Sequence, residues 1–244
     1  MNKPLSLPWP TFPESFVIDE LLKSSQVFQE FYRAERNKIT QPIYWAKDVS
    51  LPEGIDYRFS KLTTGESVIR LRRVPALAQD ACKIAHELEH VVIDKEGVPI
   101  LRPVTPEKEN LSSAISSMIE DLLVNSRLQK YGFDLQDDYE TEIEMIKRQL
   151  ARFTTSPTHR LDRIHWMVNY VSYLLDWELI NTGKGSNEFK DWFDTRYPDI
   201  ANRGKKLLKM VKRIGYDTPE KQSKLYREII RRYKLDGVVF VHQR

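Results

Sequence analysis

Residues 81–92 read Ala-Cys-Lys-Ile-Ala-His-Glu-Leu-Glu-His-Val-Val, and no other stretch limits the fold as tightly. His86 and His90 stand one helical turn apart, so on a helix their imidazoles share a face and can reach one metal ion. Glu87, the next residue along from His86, is then close enough to take a proton from a metal-activated water. Ala81, Ile84, Ala85, Leu88, Val91 and Val92 recur at helical spacing, more apolar positions than a solvated helix needs. The helix is therefore expected inside the protein, and small Ala85 lets another element come close. Two histidines and a glutamate buried there need partners, because unpaired burial is costly. A shared metal satisfies them together, whereas hydrogen bonds alone would leave the spacing to coincidence.

The segments ahead of this helix suggest what covers it. Prolines 4, 8, 10 and 13 predict an extended start anchored by Trp9 and Phe12. Glu14 to about Asn37 has a helical pattern with a break near Ser24-Ser25, and Ile43-Tyr44-Trp45 suggests a short strand. Tyr57-Arg-Phe-Ser60 and Ser67–Arg73, separated by a turn containing Gly65, predict a β-hairpin. An edge strand beside a metal can bind an extended peptide by adding it to the sheet, although the hairpin could equally be mere support.

After the histidine helix, which should stop near Gly97, residues 98–106 read as a proline-broken connector. Thr105-Pro106 then starts a long helix that Gly132 closes. It carries Glu120 and Asp121 among apolar residues. A catalytic zinc takes three protein ligands and leaves a fourth position open for water, so either carboxylate could be the third. Asp121 has Asn125 one turn on, able to orient a ligand, and Leu128 beyond it. Glu120 has the longer reach but is flanked by Ser116, Ser117 and Val124.

His86-Glu87-Leu88-Glu89-His90, followed in a later helix by an acidic residue and an amide one turn on, resembles the gluzincin clan of zinc metallopeptidases. The likeness is greatest to small intracellular members and covers about residues 65–132. It implies a zincin-like core with His86 and His90 as ligands, Glu87 as general base, Asp121 as third ligand and Asn125 beside it. Aspartate there departs from the clan's usual glutamate. If Glu120 were the ligand, Val124 would stand where the clan has a polar residue.

Downstream, Tyr139–Phe153, Arg160–Ile180, Ser186–Tyr197, Ile200–Ile214 and 218–234 read as helices, and Gly237–Val241 as a closing strand that could join the sheet. Thr182–Ser186 is glycine-rich but lacks the spacing of a phosphate-binding loop. The expected class is α+β: a zincin-like core with a small antiparallel or mixed sheet and active-site helix, then a mostly helical C-terminal part. The expected division is residues 1–136 as core with N-terminal extension and 137–244 as helical part, packed as one unit. Cys82 is the single cysteine, so no internal disulfide forms and a reducing, cytoplasmic setting is expected. Neither a long apolar run nor a signal-peptide core is present, and no membrane partner is expected.

These features predict a zinc-dependent hydrolase of peptide bonds, acting on a peptide or protein substrate. Tyr216, Tyr226, Arg227 and His165 are candidates to stabilise the oxyanion, with a core role the alternative for His165. The other readings are a regulatory or non-catalytic zincin-like protein and a metal-stabilised interaction module. The first of these rests on charge. Residues 201–244 hold 13 of the 38 basic and 4 of the 35 acidic side chains, leaving 25 basic against 31 acidic elsewhere. Such a basic end can contact nucleic acid or a protein partner. No helix-turn-helix or zinc-finger spacing supports this, nucleic acid is not the expected partner, and against the acidic body the end is expected to order as a solvated basic face. Its apolar positions Ile200, Leu207, Leu208, Val211 and Ile214 fall at helical spacing, which argues against a disordered arm.

Overall fold

The computed structural model describes residues 7–52, 54–62, 64–136, 155–181 and 187–243, with a few positions between 140 and 151. The chain divides into two units, Met1–Lys95 with Arg127–Phe133, and Glu96–Ser126 with Asp134–Arg244. It is an α+β protein in which helix predominates.

In the first unit, β1 (Thr11–Phe12) leads into α1 (Glu14–Ser24) and α2 (Gln26–Glu35). The break between the helices falls at Ser25, which is extended and accepts a hydrogen bond from the Phe28 N–H at 3.2 Å. This N-cap restarts a helix that Ser25 itself interrupts. Strands β2 (Ile43–Lys47), β3 (Tyr57–Lys61) and β4 (Ser67–Leu71) complete a sheet of order β1-β2-β4-β3. The sheet is mixed, since β2 runs parallel to β4 whereas β3 pairs with it antiparallel as the expected hairpin. Trp45, Val68, Ile69 and Leu71 are buried in its core, and β3 forms one edge. The histidine helix follows as α3 (Ala81–Lys95) and stops before Gly97, whose φ of 75° favours glycine.

The second unit contains β5 (Ile100–Pro103) and most of α4 (Glu109–Tyr131). Next come α5 (Arg160–Asn181), α6 (Glu188–Arg196), α7 (Pro198–Ile214), α8 (Pro219–Tyr233) and β6 (Val239–His242). Its core joins Ile115, Met118, Ile119 and Leu122 of α4 to Val168, Tyr170 and Val171 of α5, Leu207 and Val211 of α7, and Leu225 and Ile229 of α8. At Gly204 of α7 an added Cβ would sit 2.9 Å from Cδ1 of Tyr170, so glycine is what lets α5 and α7 approach.

Two expectations change. The connector contains a strand, β5, whose partner is remote in sequence. The closing strand β6 pairs antiparallel with β5 in a separate two-stranded sheet and does not join the main one. Within the second unit, β5 pairs with β6 and α4 shares its apolar face with the C-terminal helices. Most of the helix expected over Tyr139–Phe153 and the whole loop Thr182–Ser186 lie outside the described residues; the few positions described between 140 and 151 are helical. No described helix is long and apolar enough to cross a membrane.

Candidate metal centre

The register of α3 is set by edge strand β3. Tyr57, Phe59 and Lys61 alternate along that strand, so their side chains share one face. Tyr57 is hydrogen-bonded to Asp80, just ahead of α3. The Phe59 ring stacks on His90, with centroids 6.4 Å apart and planes 11° from parallel. Lys61 pairs with buried Asp94 at 3.0 Å. The strand thus lies along the helix and holds the His90 ring by one face.

His86 and His90 meet as their spacing requires, Nε2 to Nε2 at 3.0 Å. Two imidazole nitrogens this close either share a proton or turn both lone pairs on one cation. Zinc–nitrogen bonds of about 2.0–2.1 Å in a tetrahedron would separate them by about 3.3 Å, close to what is found. Asp121 completes the group: His86, His90 and Asp121 each offer one ligand atom, all within 4.8 Å of one another, and all three residues are half-buried. Two imidazoles and one carboxylate make a donor set that suits zinc, though it does not single zinc out from other divalent metals.

Asp121 owes its position to α4, one continuous helix whose end belongs to the first unit. Arg127 pairs with Glu89 at 2.8 Å, and the Glu89 carboxylate has 0% exposure. The Tyr131 hydroxyl donates to the Glu35 carboxylate. Phe31 meets Tyr131 and Phe133 edge-on at 5.3 and 5.7 Å. Gly132, with φ of 93°, closes the helix as expected. Asp121 stands six residues before Arg127, about 9 Å along the helix. Glu89 adjoins His90, so the ion pair fastens α4 to the turn of α3 that carries a histidine.

Glu120 is buried and does not belong to the group. It lies one turn after Ser116, whose hydroxyl accepts the Leu101 N–H of β5 at 3.0 Å, so its face of α4 is directed at β5. Asp121 is about 100° further round the helix. Asn125 is buried one turn beyond Asp121.

The Glu87 carboxylate accepts the backbone N–H of Phe59. In an antiparallel ladder, hydrogen-bonded pairs alternate with non-bonded ones. Leu62 with Glu66 and Arg72 with Asp56 are bonded pairs, which makes Phe59–Ile69 a non-bonded one. The Phe59 N–H therefore points away from β4, to the free edge of the sheet, and Glu87 stands at that edge.

The four oxyanion candidates belong to the second unit. Tyr226 is wholly buried, burial raises the Tyr216 phenol's pKa, Arg227 is exposed, and burial lowers the pKa of His165. The sequence reading missed Phe59, Glu89 and Arg127. Glu89 carried a signal, as a carboxylate on a buried helix with no ligand role and so in need of a cation.

Comparison with protein-family models, curated proteins and solved structures finds no match for this chain.

Proposed function

We propose that the chain is a zinc-dependent peptide hydrolase with a zincin-like core of the gluzincin kind. The observation that carries this reading is the convergence of His86, His90 and Asp121, with Glu87 beside them at an open sheet edge. His86 and His90 would hold the cation through Nε2 and Asp121 through a carboxylate oxygen, with buried Asn125 keeping Asp121 in place. The cation would supply Lewis acidity toward a water and the substrate carbonyl. Glu87 is the group that would accept the nucleophilic water's proton and return it to the departing amine. The substrate is an extended peptide lying along β3, where the outward backbone groups of Tyr57 and Lys61 and the Phe59 carbonyl form ladder hydrogen bonds with it, the Phe59 N–H being held by Glu87. The single cysteine suits a reducing, cytoplasmic setting.

The test combines metal analysis of chelator-free protein with cleavage of a peptide library. About one zinc per chain and cleavage that Glu87→Gln abolishes without loss of metal are expected. Wild-type protein without metal, or an active Glu87→Gln variant, would refute the proposal.

A further inference from the structure

We infer that the exposed sides of α7 and α8 form a binding face for the phosphate backbone of a nucleic acid. The face belongs to a folded part of the chain, not a loose tail. Ile200, Gly204, Leu207, Met210 and Val211 of α7 and Leu225, Tyr226 and Ile229 of α8 are buried. The Tyr233 hydroxyl, at the end of α8, reaches the carbonyl of Arg203 near the start of α7 at 3.4 Å, so the helices lie side by side and antiparallel.

Their outer sides are cationic. Arg203, Lys206, Lys209 and Arg213 of α7 and Lys224 and Arg227 of α8 are exposed. Among the described residues none of these six lies in a salt bridge, whereas Lys205, Lys212, Lys221 and Arg231 pair with Asp194, Glu178, Asp217 and Glu228. Residues 200–216 contain no acidic side chain at all. The Glu228 carboxyl is held below its usual pKa by the hydrogen bond from Arg231, with Arg213 of the neighbouring helix contributing, so cations of both helices adjoin there. A solvated surface ordinarily intersperses both signs; α7 from residue 200 on does not, although α8 contributes Glu220 and Glu228.

The type of partner follows from what the face lacks. The large exposed apolar residues of the described chain are Phe16, Val49, Leu77, Val104 and Phe240, and none lies on α7 or α8. A protein interface needs an apolar centre, and a helix lying in a membrane surface needs an apolar side. A phosphate backbone needs neither, only cations on flexible stems. Arg203 to Arg213 spans about 15 Å along the helix. Duplex DNA carries about nine phosphates over that length of axis. No base reading is implied, so recognition is independent of sequence.

Fluorescence anisotropy of the full chain with a short labelled DNA duplex, at several salt concentrations, tests the inference. Six phosphate contacts predict a slope of log affinity against log salt of about −5. The triple variant Lys206→Glu, Lys209→Glu, Arg213→Glu should weaken binding at least tenfold and flatten the slope, with unchanged circular dichroism and melting. Lys224→Glu with Arg227→Glu, on the other helix, gives an independent check should the triple variant misfold. No binding at low salt, a slope near zero, or full affinity in both variants would overturn the inference. So would competition by poly-glutamate or anionic vesicles as effective as that by unlabelled DNA, which would point to an acidic protein or a lipid surface.

Discussion

Replacing Arg127 by Met tests how α4 is fastened beside the histidines. Arg127 forms an ion pair with Glu89, whose carboxylate has no exposure, while the arginine side chain is 24% exposed. Removing one member of a buried pair leaves an uncompensated charge and costs about 3–5 kcal/mol. The partial exposure of Arg127 sets the expectation at the lower end, about 3 kcal/mol. A second replacement, Glu89→Met, should recover most of that loss, because apolar residues can replace a buried pair at little cost. Metal binding should respond differently. Asp121 stands on the same helix, so loosening its end should weaken affinity about 10–100-fold, as loss of an outer partner does at other metal sites. The double variant restores packing without the pair's directional contact, and its affinity should stay low. Urea unfolding and competition with a chromogenic chelator measure the two effects. A loss below about 1 kcal/mol in Arg127→Met, or a double variant no more stable than the single one, would refute the argument.

Asp121→Asn should lower zinc affinity sharply and Glu120→Gln should leave it near wild type, read by the same competition assay; the reverse order would reassign the third ligand. Gly204→Ala should destabilise the second unit by about 1–3 kcal/mol, because the new methyl meets the Tyr170 ring at 2.9 Å. Thermal melting would show this, and a higher melting temperature would contradict it. Burial holds the pKa of His165 below 6.5. The unfolded chain therefore binds that proton more readily, and the His165 contribution, complete above about pH 6.5, is lost as pH falls through the folded value. His165→Gln should flatten the fall in stability between neutral and mildly acid pH, and an unchanged profile would rule out this origin.

How much of this was legible in the sequence depends on how far apart the interacting residues are. The α3 helix was legible because its information is local: the apolar spacing, the His86–His90 repeat and the glycine stop at Gly97 all fall within about twenty residues. The hairpin of β3 and β4 and the break at Ser25 were legible for the same reason. Strand β5 was not. Ile100–Pro103 is too short and proline-rich to signal a strand, and its partner β6 comes more than a hundred residues later. Without that pairing, nothing local assigns residues 96–126 to the C-terminal helices.

The candidate centre shows the same division at the scale of single side chains. His86, Glu87 and His90 follow from spacing on one helix. The choice between Asp121 and Glu120 needs the rotation of α4, and that rotation is set by contacts no window of sequence contains. Ser116 turns one face of the helix to β5, and Arg127, Tyr131 and Phe133 anchor its end to Glu89, Glu35 and Phe31. Adjacent residues on a helix differ by about 100°, so Asp121 and Glu120 cannot share a face, and it is Asp121 that groups with His86 and His90 as a candidate metal site. Glu87 carries a parallel lesson. The motif names it as a base, but only the alternation of the β3–β4 ladder shows that the N–H it accepts belongs to the free edge, where an extended chain would lie. A substrate-side reading of the motif therefore requires both the helix that bears it and the strand that flanks it.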